Sequence, residues 1–143
     1  MGKIIMVGKS GAGKTTLTQA LLGQKIVTMK TQSTEYHEKV IDIPGEYLEN
    51  PRFYNAIITM AFDADTMVLV CDVNSEDYYF PPHFGDMFNI KVIGVITKID
   101  LQHDEKTVEK ARFILHQAGA SDIFTVSAIT DEGVDALKKL LEV

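Results

Sequence analysis

The stretch Gly8-Lys9-Ser10-Gly11-Ala12-Gly13-Lys14-Thr15 follows directly on the apolar run Lys3-Ile4-Ile5-Met6-Val7 and leads into a helical pattern. It fits G-x-x-x-x-G-K-[ST] between a strand and a helix, a setting that commits the chain to a strand handing over to a helix through a loop shaped for phosphate. The glycines let the backbone turn so tightly that successive N–H groups converge on a β-phosphate. Lys14 adds a charge that reaches the β- and γ-phosphates, and the Thr15 hydroxyl can ligand Mg2+. The helix opening at Lys14 sets its positive dipole end under the same oxygens.

The rest of the chain repeats this alternation. Strand-length apolar runs fall at Lys3–Val7, Lys39–Ile43, Thr66–Val73, Lys91–Thr97 and Ile123–Val126. Most are continuous, as in strands buried on both faces. Helical patterns lie between them. Lys14–Leu22 ends at Gly23, and a second helix starts with Asn50 as N-cap and Pro51 at the first helical position and runs to about Ala64. A third, over Asp104–Ala118, sets Val108, Ala111, Leu115 and Ala118 on one face and stops at Gly119. The last, Glu132–Leu141, is expected to bury Val134, Leu137, Leu140 and Leu141.

Strands alternating with helices imply crossover connections and a sheet covered on both faces. The expected fold is therefore α/β, a doubly wound and mostly parallel six-stranded sheet. Thr34–His37 and Lys39–Ile43 are close enough to form only a hairpin, which makes one edge strand antiparallel. At 143 residues the chain is one nucleotide-binding domain, 1–143. Ser75–Asn89 reads as an ordered loop with a short helical turn near His83–Phe88. Its aromatic residues Tyr78, Tyr79, Phe80, Phe84 and Phe88 are expected to cap the sheet edge, with a partner surface as the alternative.

A hydrophobic content of 45% and no low-complexity stretch mark a globular protein. The net charge of −6 argues against nucleic acid or an anionic membrane as the main partner, since both are bound through surplus Lys and Arg. No stretch approaches the roughly 18 apolar residues of a membrane span, and a first strand beginning almost at Met1 predicts no signal peptide, hence a cytoplasmic location. Cys71 is the single cysteine and sits in an apolar run, so it is expected to be a buried small hydrophobe. His37, His83, His103 and His116 show no ligand spacing, which makes a zinc site improbable.

Three further signals fall at the ends of strands, where ligands bind in open parallel sheets. In Asp42-Ile43-Pro44-Gly45 the acid can hold a Mg2+-bound water and Gly45 can bring its N–H to a γ-phosphate; the plain alternative is a turn. In Thr97-Lys98-Ile99-Asp100 the carboxylate of Asp100 can accept from N1–H and the 2-amino group of guanine, a donor pair that adenine lacks. Each such bond is worth roughly 1.5–3 kcal/mol. The Lys98 stem can lie along the base face. Ser127-Ala128, after the last strand, can offer a backbone N–H to guanine O6.

Gly8–Thr15, a threonine near Thr31, Asp42–Gly45, Thr97–Asp100 and Ser127-Ala128 stand in the order of the five motifs of Ras-like P-loop GTPases, which the chain resembles over nearly its whole length. More narrowly, Asp42–Asn50, Arg52-Phe53-Tyr54 and Phe80-Pro81-Pro82 resemble the ethanolamine-utilisation and propanediol-utilisation GTPase-like family of bacterial microcompartment systems. The resemblance implies a nucleotide site of Gly8, Lys9, Ser10, Gly11, Ala12, Gly13, Lys14, Thr15 and Thr16, with Thr97, Lys98, Asp100, Ser127 and Ala128 at the base. It implies Mg2+ held by Thr15, by a switch threonine and, through water, by Asp42. Thr28, Thr31 and Thr34 all qualify as the switch threonine; Thr31 is favoured because Thr34 already falls in the edge strand. Lys14, Thr31, Gly45 and Glu46 would then surround the γ-phosphate. GTP and GDP are the expected ligands, with ATP as alternative, and a protein partner in a microcompartment system is implied.

Two positions depart from the Ras-like pattern. Thr97 replaces the usual Asn, keeping a hydroxyl but losing an amide donor, which predicts that the loop buttressing the phosphate loop is less tightly held and that affinity is modest, with guanine preference kept by Asp100. Glu46 replaces the glutamine that orients water, and a carboxylate beside a γ-phosphate is repelled, which predicts slow intrinsic hydrolysis. Glu46 as a solvent-facing residue is the expectation, and Glu46 as a base the alternative. Arg52 is expected to anchor the second switch helix; it is also the nearest candidate for an arginine finger, with Arg112 expected on an outer helix. Three functions compete: a guanine-nucleotide switch or assembly factor, an ATP-dependent phosphotransferase acting on a small acid such as acetate, and a structural nucleotide-binding protein.

Overall fold

A computed structural model describes residues 3–9, 12–23, 35–36, 40–74, 80–101 and 104–141. Five strands run parallel: β1 (Ile4–Gly8), β3 (Val40–Asp42), β4 (Thr66–Asp72), β5 (Lys91–Thr97) and β6 (Ile123–Thr125). The two-residue β2 (Glu35–Tyr36) lies beside β3 in antiparallel register, and the order across the sheet is β2-β3-β1-β4-β5-β6. The chain leaves β1 toward β3 on one side and returns to β4 on the other. The strand order thus reverses around β1, the place where open α/β sheets form a ligand crevice.

The continuous apolar runs explain the layering. Alternate residues of β1 and β4 point to opposite faces, and each face meets its own apolar cluster. Ile5, Val7, Met67 and Leu69 pack with Ile57 and Ala61 of α3 (Tyr54–Ala61) and with Ala111 and Leu115 of α4 (Glu105–Gln117). Ile4, Met6, Val68 and Val70 pack with Leu17 and Leu21 of α1 (Lys14–Leu21) and with Val134, Leu137 and Leu141 of α5 (Val134–Leu141). The expected helices are present, with two changes. The last begins at Val134 rather than Glu132, because Asp131 and Gly133 hold left-handed φ values of 66° and 73°. Leu140, expected in the core, is 37% exposed on the outer face of that helix.

An additional short helix, α2 (Glu46–Glu49), precedes the predicted start at Asn50. Asn50 caps there as expected: its side-chain oxygen accepts from the Arg52 N–H at 3.1 Å, Pro51 opens a 3₁₀ turn, and the chain continues into α3. A 3₁₀ turn over Phe84–Met87 matches the predicted helical turn. Phe80, Phe84 and Phe88 beside it are buried rather than forming an exposed surface, in the α3/α4 cluster against which Ile123 of the edge strand β6 also packs, and Phe84 is in edge contact with Tyr54 at 5.4 Å. Tyr78 and Tyr79 lie outside the described residues.

Candidate functional site

Gly8 closes β1 opposite Val70, and a Cβ there would stand 2.6 Å from the Val70 carbonyl oxygen. Only glycine permits that approach. The same Cβ would meet Lys14 Cδ at 3.3 Å, so the Lys14 stem lies folded over the strand end, and the residue is 5% exposed. The loop between them is closed by the Ala12 N–H donating to Lys9 O at 3.0 Å. Gly13 then takes φ 93°, a left-handed turn that glycine adopts without strain, and α1 starts at Lys14. Ser10 and Gly11 lie outside the described residues. Lys9 and Thr16 are half-buried at the two ends of this turn.

Thr15 and Asp42 meet across the sheet. β3 aligns Asp42 with Met6 of β1, and the Thr15 hydroxyl donates to Asp42 Oδ2 at 2.9 Å. Asp42 is fully buried. A hydroxyl and a carboxylate side by side next to a phosphate loop are hard oxygen donors of the kind Mg2+ takes, one directly and one through water. The donor set fits the ion. Among the described residues no group of three or more His, Cys, Asp or Glu side chains converges as a metal site. Thr31, the favoured switch threonine, and the alternatives Thr28 and Thr34 lie outside the described residues.

Beyond Asp42, Pro44 and Gly45 are buried and α2 begins at once, its first hydrogen bonds running from Tyr47 N–H to Pro44 O and from Leu48 N–H to Gly45 O. Glu46 is exposed. Arg52 sits with Cζ 4.8 Å from the centroid of the Phe53 ring, and Phe53 stacks on Tyr47 at 4.7 Å. Arg52 itself is exposed, and Arg112 lies on α4.

At the end of β5 the hydroxyl that Thr97 keeps reaches the phosphate loop: it donates to Ala12 O at 2.5 Å, with Cys71 O at 3.3 Å as a second acceptor. Thr97 is 4% exposed, so this bond is sheltered from water. The Thr97 side chain lies beside Gly13, where an added Cβ would stand at ordinary contact distance, 3.5 Å from the Thr97 hydroxyl oxygen. Asp100 follows, exposed, on a 3₁₀ turn, Ile99–Leu101. That turn is tied to the next loop by the Ile99 N–H donating to Val126 O at 3.1 Å. Ser127 is buried and its hydroxyl accepts from Thr130 N–H at 3.1 Å, which shapes the loop around half-buried Ala128.

One participant escapes sequence reasoning. Lys98 Nζ lies 2.9 Å from Asp72 Oδ2 at the end of β4. The signal was an acid directly after an apolar strand, but its partner is 26 residues away and only strand pairing shows it. Next to it, Cys71 is buried as expected. Burial, and then the neighbouring Asp72 charge, push its thiol up to about 11. His83 pairs with Asp86 and His116 Nδ1 stands 3.3 Å from Ala120 O, while His37 and His103 lie outside the described residues.

Comparison with known proteins places the chain. The profile of the PduV-EutP family, described as ethanolamine utilisation - propanediol utilisation, matches residues 1–143. The chain belongs to this family. It is 38% identical over 137 residues to the propanediol utilization protein PduV of Citrobacter freundii, covering 96% of this chain and 91% of that protein. It is 34% identical over 139 residues to the probable acetate kinase EutP of Escherichia coli K12, covering 96% and 87%. A more distant similarity, 26% over 159 residues, joins it to the GTPase Era of a Thermoanaerobacter species, of which the chain spans about half, 52%. Among the described residues no helix is long and apolar enough to cross a membrane.

Proposed function

We propose that this chain is a Mg2+-dependent, guanine-nucleotide-binding, GTPase-like protein with slow intrinsic hydrolysis, acting as a switch or assembly factor in ethanolamine or propanediol utilisation. The observation that carries the reading is the Thr97 bond to Ala12: it joins a phosphate loop to a Thr-Lys-x-Asp turn, so one ligand with both phosphates and a base spans both. In this reading Gly8–Thr16 hold the phosphates, Lys14 neutralises their charge, and Thr15 and Asp42, with Thr31, hold Mg2+. When bound, the ion supplies charge neutralisation at the β- and γ-phosphate oxygens. Asp100 reads guanine, with Ala128 at O6 and Lys98 beside the base. Exposed Glu46 stands where Ras-like enzymes carry the glutamine that orients water, and repulsion between its carboxylate and a γ-phosphate is the reason for slow turnover in this reading. Distant similarity to Era supports the guanine-nucleotide class. The reading also places the protein in the cytoplasm with a protein partner of a bacterial microcompartment system.

The test is competition between guanine and adenine nucleotides, with Mg2+, in wild type and in Asp100→Ala. A guanine preference that the substitution removes supports the reading; an adenine preference, or indifference to Asp100, overturns it. A second reading is favoured by one finding, the similarity to a protein named a probable acetate kinase. There a carboxylate oxygen of a small acid would take the γ-phosphoryl group, leaving nucleoside diphosphate and an acyl phosphate. ATP turnover that rises with added acetate and yields acetyl phosphate supports that reading, and turnover unchanged by acetate removes it.

A further inference from the structure

Lys98 is pinned at both ends of its residue. Its backbone takes φ 61°, a left-handed conformation that a lysine adopts only under constraint. The constraint is visible on either side: Thr97 O accepts from the Val73 N–H at 3.1 Å, and the Ile99 N–H donates to Val126 O at 3.1 Å. The head is held by Asp72, whose Oδ2 stands 2.9 Å from Nζ. That carboxylate is itself aimed, because its Oδ1 accepts from the Asn74 N–H at 2.9 Å. The side chain of Asp72 is 21% exposed and that of Lys98 40%, so the pair is partly sheltered but open to a ligand.

Sheet order gives this tether a direction. β4 lies between β1, which feeds the phosphate loop, and β5, which feeds the Thr97–Asp100 turn. Asp72 is the last residue of β4 and pairs with Thr97 of β5. A lysine that starts after β5 and ends on Asp72 therefore lays its four methylenes across the end of β4, between the base end and the phosphate end of the site. Methylenes held flat in this way offer an apolar face to a planar ring, while an untethered lysine would spend its time extended into water.

We propose that Asp72 is a positioning residue for nucleoside binding: by holding the Lys98 head and the strained backbone turn together, it fixes the Lys98 stem as one wall of the base slot. The inference rests on the guanine-nucleotide reading above. It predicts that the loss falls on the nucleoside portion of the ligand and spares the phosphates, which Thr97 and Lys14 serve.

The experiment measures guanosine diphosphate and inorganic pyrophosphate, each with Mg2+, against wild type, Asp72→Asn, Lys98→Met and the double substitution, with thermal midpoints recorded alongside. Asn keeps the acceptor for Asn74 and removes the charge; Met keeps the stem and removes the head. The expected result is an about tenfold weaker binding of guanosine diphosphate by Asp72→Asn. Pyrophosphate binding and thermal midpoint stay unchanged. Lys98→Met loses a similar factor, and adding Asp72→Asn to it loses nothing more. Wild-type affinity in Asp72→Asn overturns the inference, and so does an equal loss in the Lys98→Met background. A loss shared by pyrophosphate and matched by a lower midpoint overturns it too, in favour of a purely structural pair. A wild type that binds guanosine diphosphate no better than pyrophosphate overturns the guanine reading and this inference together, and so separates the two failures.

Discussion

A hydroxyl has one proton to give, and Thr97 has two carbonyls within reach, Ala12 O at 2.5 Å and Cys71 O at 3.3 Å. The shorter bond is the stronger and crosses from the base turn to the phosphate loop. Thr97→Val keeps the shape and removes the proton, leaving a buried carbonyl without that donor. The expected cost is about 1–2 kcal/mol of unfolding free energy, read by chemical denaturation. Guanosine diphosphate and pyrophosphate should weaken together, since the tether acts on the phosphate loop, and Thr97→Ser should restore both. One residue along β4 from Val70, the buried Cys71 thiol makes a pH prediction. Its value in the folded protein is about 11 against an ordinary 9.0, so the folded state favours the protonated thiol. The stability this contributes is full below pH 9, falls as pH climbs from about 9 to about 11, and is absent above. In Cys71→Ala that decline in denaturation midpoint should be shallower than in wild type over the same pH window. A decline of the same depth would assign it to other groups.

At the scale of elements, the segment from Asp42 to Ala61 is where local signals and tertiary constraint meet. Asn50 interrupts two helical stretches, and its side chain serves the Arg52 N–H as they restart. Asn50→Ala should cost about 1 kcal/mol. In a domain of this size that is about 3 °C in melting midpoint. The strands and most helices were legible because their apolar content follows the period of the element and the caps are local. The short helix over Glu46–Glu49 was not, since four residues carry too little pattern to announce a helix. It exists because Pro44 O and Gly45 O accept from Tyr47 and Leu48 in a turn that buried Leu48 anchors. Of the candidate site, the phosphate loop, Asp42 and the Thr97–Asp100 turn were legible as motifs. The Asp72–Lys98 pair was not, because it depends on which strand lies beside β5. The Thr97–Ala12 bond was not legible either, because it joins residues 85 apart in sequence, a contact that spacing does not encode.

At the scale of the molecule, the ends of four strands converge through three contacts far apart in sequence: Thr15 with Asp42, Thr97 with Ala12, Lys98 with Asp72. A ligand that engages all three couples its binding to the stability of the whole sheet, since unfolding any of β1, β3, β4 or β5 dissolves its site. Mg2+ with guanosine diphosphate at a hundredfold its Kd should add about 2.7 kcal/mol. At roughly 3 °C per kcal/mol the melting midpoint should rise by about 8 °C. Lys14→Ala separates packing from binding. It loses the stem folded over Gly8 and should lower the midpoint without ligand; it also loses the charge that meets the phosphates, so the increment on adding ligand should vanish. Adenosine diphosphate provides the remaining contrast, because under the proposed function it would reach the phosphate loop but give Asp100 no donor pair. Its increment should be smaller than that of the guanine nucleotide in wild type and equal to it in Asp100→Ala. An increment for both nucleotides that survives Lys14→Ala would mean that ligand and phosphate loop are not linked, and the coupling of loops to sheet would have to run through another site.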